Sequence, residues 1–283
     1  MRGNTVIHFA ARFTGAMLVL ALMIGSSTAA QDPIPASARL PDLRTAIPRQ
    51  LQVVNPSKDT KMEVLRFSNG VVNTGDGPWR MRPEFPLGDI TQPQKAIQEL
   101  LTSTGSSGSI AYEKVVSEFA YHPTHHHWHI GGIALFEVRK SKGGSAGTAD
   151  IGEVYGGNSI KTTFCLIDWI RLEDNSNNGK KSDRVYFDCF GDHQGISVGW
   201  VDEYHQATDG QELDITGAPV GYYYLVSTAN PDAVFLEKDG ANNSAWVFFE
   251  LRRDSNGNAK IDPIIDSFEQ EKVGVPVTYT ANR

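Results

Sequence analysis

Short runs dense in Val, Phe, Tyr and Thr recur along the chain, and turn-forming residues divide them. The runs are Val64 to Val72, Val115 to Tyr121, Ile133 to Val138, Tyr222 to Ser227 and Ala245 to Leu251. Between them lie segments such as Asn73-Thr74-Gly75-Asp76-Gly77-Pro78 and Asn175 to Lys181, whose Gly, Pro, Asn and Asp suit tight reversals. Branched and aromatic residues in strand-length runs predict an all-β fold, a β-sandwich with long loops and little helix. A helical period shows only around Lys95 to Leu101, ahead of a Ser/Gly loop at Ser103 to Ser109. The segment Asp254-Ser255-Asn256-Gly257-Asn258 opens like a calcium-binding loop, but Ala259 and Ile265 stand where Gly and Glu are needed, so it reads as a turn.

Residues 1–30 read as a signal peptide: Arg2 and Arg12 precede the apolar run Ala16 to Ile24, which ends in small residues up to Ala30. Residues 31–39 follow as a polar leader, and 40–283 as one domain with a tail from about Asp254. No later stretch is apolar for long enough to span a bilayer. A secreted or periplasmic protein is expected. Without the two arginines of the first thirty residues, 33 acidic residues face 24 basic ones, a net of −9. That balance argues against nucleic acid and favours cationic partners such as amines. Cys165 and Cys189 are the two cysteines, and in an oxidising compartment an even pair is expected to bridge. Closing such a loop contributes about 3 kcal/mol in the chain-entropy picture.

Five of the eight histidines fall in His122-Pro123-Thr124-His125-His126-His127-Trp128-His129. On an extended backbone His125, His127 and His129 share one face, and His126 and Trp128 the other. Three neutral imidazoles suit copper, zinc, iron or nickel and leave coordination positions open for water, oxygen or substrate. Spacing alone does not choose the metal. A zinc hydrolase fits as well, whereas a cupin is disfavoured because Gly131 and Gly132 follow where a Glu is wanted.

From Leu40 to about Leu251 the sequence resembles the catalytic domain of the lysyl oxidase family. The family's histidine pattern is matched by His122, His125, His127 and His129, and the resemblance implies that the last three bind copper. The family builds a lysyl tyrosylquinone from its own side chains. Its lysine motif is matched by Lys161-Thr162-Thr163-Phe164-Cys165-Leu166-Ile167-Asp168, and its tyrosine motifs by His193-Gln194-Gly195-Ile196-Ser197 and Asp202-Glu203-Tyr204. Lys161 and Tyr204 are therefore the expected cofactor parents, with Asp202 the candidate base. The implied reaction turns a primary amine, such as peptidyl lysine, into an aldehyde, consuming O2 and releasing ammonia and hydrogen peroxide.

The family's second metal site is matched by Leu40-Pro41-Asp42-Leu43 and Glu237-Lys238-Asp239-Gly240-Ala241-Asn242-Asn243. Asp42, Leu43, Glu237, Asp239, Asn242 and Asn243 offer the oxygen ligands calcium prefers. Cys165 and Cys189 match one family disulfide, with an insertion around Asn175 to Lys181 between them. A further histidine of the animal enzymes is replaced near Leu135 and Phe136. Competing readings are a secreted copper-binding module without the quinone and a zinc-dependent hydrolase.

Overall fold

The β-prone runs pair as antiparallel strands. The structure, a computed structural model, describes residues 32–57, 61–173 and 181–277, with residues 157–161 described by their backbone alone. The expected signal peptide lies outside the described residues. In chain order the strands are β1 (Leu43–Thr45), β2 (Arg49–Val54), β3 (Val64–Asn73), β4 (Trp79–Pro83), β5 (Gln94–Leu101), β6 (Ile110–His122), β7 (His127–Ser141) and β8 (Ile151–Phe164). There follow β9 (Ile170–Arg171), β10 (Gln194–Ile196), β11 (Trp200–Tyr204), β12 (Glu212–Asp214), β13 (Gly221–Ala229), β14 (Ser244–Arg253), β15 (Ala259–Asp266) and a short helix α1 (Ser267–Glu271). All five runs named above fall within strands, namely β3, β6, β7, β13 and β14.

Two sheets result. The larger runs β10-β4-β5-β6-β7-β13-β14-β15, with β8 also pairing β7; the smaller runs β1-β3-β11-β9, with β2 and β12 also pairing β3. Their inner faces share one core, to which β3 gives Leu65, Phe67 and Val71, and the large sheet gives Ile133, Phe136, Leu225 and Phe249. Phe67 meets Phe136 edge-on, ring centres 4.9 Å apart. Burying each such side chain contributes about 1.5–3 kcal/mol, so this apolar layer clamps the sheets face to face as a sandwich.

One expectation is corrected. Lys95 to Leu101 is not helical but lies in β5, paired with β6. The register shifts between Ala96 and Ile97 and again between Leu100 and Leu101. Such bulges interrupt the alternation of two and leave apolar pairs spaced as on a helix. The compositional tail also contributes structure, because β15 extends the large sheet along β14. Asp266 then caps α1, accepting from the N–H groups of Phe268 and Glu269 at 2.9 Å each. Among the described residues no helix is long and apolar enough to cross a membrane.

Candidate active site

The histidines sit where β6 turns into β7. His122 pairs with His127, so residues 123–126 form the turn. The His122 carbonyl accepts from the N–H groups of His125 at 3.2 Å and His126 at 2.9 Å, and His126 adopts φ 58°. This corrects the expectation of one extended segment. Only His127 and His129 alternate along a strand, whereas His125 reaches them through the turn. Trp128 points the other way, buried, with its ring edge against Tyr121.

His129 is the hub. Its Nε2 lies 3.0 Å from His127 Nε2 and 3.3 Å from His125 Nδ1. Two nitrogens each about 2.0–2.1 Å from a common ion stand roughly 3 Å apart, so these separations suit a shared cation. On its other edge His129 Nδ1 lies in hydrogen-bond contact with Thr163 Oγ1 at 3.0 Å. With the Thr163 hydroxyl accepting from Nδ1–H, the Nε2 lone pair is turned toward the cluster, as a metal ligand requires. Burial first, and then repulsion from neighbouring imidazoles, pushes the His129 pKa down to about 3; the same causes lower His125 and His127. Neutral imidazole is the form that binds a metal.

His122 belongs to the cluster more closely than the sequence suggests. Its ring stacks on His125 at 4.3 Å and on His129 at 4.6 Å, and candidate ligand atoms of the three lie within 4.8 Å of one another. Its buried Nδ1 has no partner among the described residues. His127 also approaches Cys165 and Cys189, but those sulfurs are joined in a disulfide, as expected, and offer no thiolate.

Tyr204 ends β11 in the opposite sheet and lines two hollows shared with the histidines. One, of about 400 Å³, also has His125, His127, Cys165 and Asp202 on its lining; the other, of about 160 Å³, has His122, His125, His129 and Phe164. The phenol is fixed twice at Cys165, whose N–H donates to the hydroxyl and whose carbonyl accepts from it, both at 3.2 Å. Phe164 stacks on the ring at 4.3 Å. Burial, with the Asp202 charge nearby, holds the phenol well above its usual pKa. Asp202 is fully buried, and burial followed by the Asp168 charge raises its carboxyl well above the usual range. Its Oδ2 meets no donor among the described residues. Close sheet contact requires Gly70 opposite Glu203, since a Cβ there would lie 2.5 Å from the Asp202 carbonyl oxygen.

The remaining motif residues hold this arrangement in place. Gln194 ties the lysine motif to the histidine strand, accepting from Leu166 N–H at 3.2 Å and donating to the Trp128 carbonyl at 2.8 Å. Gly195 lies against Trp79, where a Cβ would come within 2.4 Å of the carbonyl oxygen. Asp168, fully buried, accepts from the N–H groups of Val185, Tyr186 and Ser197 and from the Ser197 hydroxyl, at 2.7–3.1 Å. Thr163, Gln194 and Asp168 were not legible as supports, because their partners lie tens of residues away. Lys161 lies in β8 with its backbone opposite Leu135 of β7; its side chain falls outside the described residues.

The second predicted cluster also assembles. Glu237 accepts from Leu43 N–H at 3.1 Å and from the Asn243 amide at 2.8 Å, while the Asn242 amide donates to Asp42 at 3.2 Å and to Asp239 at 3.4 Å. Leu43 thus offers its N–H, its side chain being in the core. Burial raises the Glu237 carboxyl. The buried Oδ1 atoms of Asn242 and Asn243 meet no donor among the described residues. Acidic groups with two unpartnered amide oxygens suit a hard cation.

A comparison with curated proteins finds no significant match. The sequence profile of the family described as lysyl oxidase matches residues 99–256, more than half of the chain and the stretch that carries the histidines, Lys161 and Tyr204. On that match the chain belongs to the lysyl oxidase family, whose membership supports an amine oxidase.

Proposed function

We propose that this chain is a secreted, copper-dependent amine oxidase converting primary amines, peptidyl lysine among them, to aldehydes with release of ammonia and hydrogen peroxide. His125, His127 and His129 would hold copper, and Lys161 with Tyr204 would form the lysyl tyrosylquinone. The observation that carries the reading is the sharing of both hollows by Tyr204 and the imidazoles. Copper there supplies electron exchange with oxygen, and the quinone supplies the electron sink that ordinary side chains lack.

The protein's own residues do the rest. Thr163 orients His129, and the Cys165 backbone fixes the Tyr204 ring against Phe164. Asp202 lines the hollow with an unpartnered Oδ2 where a proton from the amine's α-carbon can be received. A carboxyl with a raised pKa holds that proton better than an exposed one. Calcium at Asp42, Glu237, Asp239, Asn242 and Asn243, with Leu43 N–H orienting the Glu237 carboxylate, would tie the start of the domain to a late loop. The disulfide agrees with an oxidising compartment.

The test is peroxide release from simple amines, with quinone staining of the purified protein. Lys161→Arg should abolish both while copper stays bound. Unchanged peroxide release in that variant contradicts the reading, and copper binding without any quinone in the unaltered protein favours a copper-binding module instead.

A further inference from the structure

The segment from Cys165 to Trp169 links β8 to β9, and its residues alternate between two jobs. Leu166 and Asp168 are fully buried and anchored: Leu166 by Gln194 and by Gly195 N–H to its carbonyl at 3.0 Å, Asp168 by four donors. Cys165, Ile167 and Trp169 all line the larger hollow. One set of alternate residues is thus bolted to the core and the other is presented to the site. The presented side is apolar throughout, consisting of a disulfide, an isoleucine and an indole.

Exposure increases outward along it. Cys165 is fully buried, Ile167 half-buried, and Trp169 49% exposed. Its backbone is nevertheless anchored, because the Trp169 backbone N–H donates to the Val201 carbonyl at 3.0 Å, just before β9 pairs with β11. Beside the other half of the disulfide, Phe190 is 73% exposed, with its ring 6.3 Å from that of His127. Its loop is held by Asp188, which accepts from Phe190 N–H at 2.8 Å. Large aromatics left in water at the mouth of a site, on anchored backbone, mark a surface that a ligand covers.

We infer that Ile167, Trp169 and Phe190 form an apolar track that grips the body of the substrate, so that the site selects primary amines carried on an aromatic or bulky aliphatic group over amines whose far end is charged. The inference rests on the amine oxidase reading, which places the reacting nitrogen beside Tyr204. Of the two acids on the same hollow, Glu203 is paired with Arg49 and Asp202 is buried, so a second ammonium, as in a diamine, would have to leave water against the isoleucine and the disulfide, which is unfavourable.

Binding is measured without turnover, using tertiary amines, which cannot condense with a carbonyl. N,N-dimethylphenethylamine and N,N,N′,N′-tetramethylhexane-1,6-diamine, whose two nitrogens are both tertiary and too far apart to chelate copper, are titrated into the intact copper-containing protein by calorimetry. The aromatic amine should bind about tenfold tighter, equivalent to about 1.4 kcal/mol. Trp169→Ala should remove most of that preference and Trp169→Phe should keep it. Equal affinity for the two amines, or a preference that survives Trp169→Ala, overturns the track. Peroxide release from phenethylamine is read separately. A Trp169-dependent preference without peroxide supports the track and counts against the oxidase reading, whereas peroxide with equal binding does the reverse.

Discussion

The imidazole cluster and the acidic cluster are built in opposite ways. The first draws its four rings from eight consecutive residues and borrows only orientation from elsewhere, through Thr163. The second joins residues 200 positions apart, as in the contact of Asn242 with Asp42. One presents neutral nitrogens to a cavity that also holds a phenol. The other presents carboxylates and amides to each other. A hairpin turn can fix a site for chemistry, whereas a contact between distant segments contributes to holding the domain closed.

The largest expected effect lies in the first cluster. His129→Ala removes the ring to which both neighbours point, so copper affinity should fall by more than the ~10–100-fold typical of losing an outer-shell partner. Metal analysis after dialysis checks this, and melting of the copper-free protein should change far less than copper retention does.

Next is Asp202→Asn. Amine oxidation should slow by about 10²–10⁴-fold, the usual contribution of a positioned base. Stability should move in the opposite direction. Because burial raises the folded carboxyl above its value in the unfolded chain, the unfolded state ionises first. The group's contribution is complete below about pH 4 and is lost as pH rises through its folded pKa. Asp202→Asn should flatten that decline, and unfolding by denaturant across this range measures it. A variant that loses stability at neutral pH would contradict the assignment.

Removing calcium probes the second cluster. If the ion is held at about a hundredfold excess over its Kd, chelation costs about 2.7 kcal/mol. The melting temperature should fall by several degrees, with copper content unchanged. Glu237→Gln should make the protein indifferent to the chelator. The smallest effect is expected for Thr163→Val, which leaves the ligands but loosens His129; copper affinity should fall by about tenfold, the low end for such partners.

Much of this was legible from residue types. Branched and aromatic runs marked the strands, and the histidine and tyrosine motifs marked residues that the fold brings around shared hollows. What was not legible depends on tertiary partners. The turn at His126 is invisible to a rule of strict alternation, because it is set by the His122 carbonyl and a left-handed backbone. The two bulges in β5 imitate a helical period. Asp168 reads as an ordinary acid until four donors surround it, and Gln194 as an ordinary amide until it bridges Leu166 and Trp128. Local pattern fixes which element forms, but only packing decides which polar groups meet.

Peptide mass spectrometry of the protein expressed with copper addresses the oxidase proposal most directly. The account predicts one covalently linked species joining the peptides that contain Lys161 and Tyr204, absent from Lys161→Arg and from protein prepared without copper. Recovery of both peptides unlinked and unmodified from fully copper-loaded protein would contradict it.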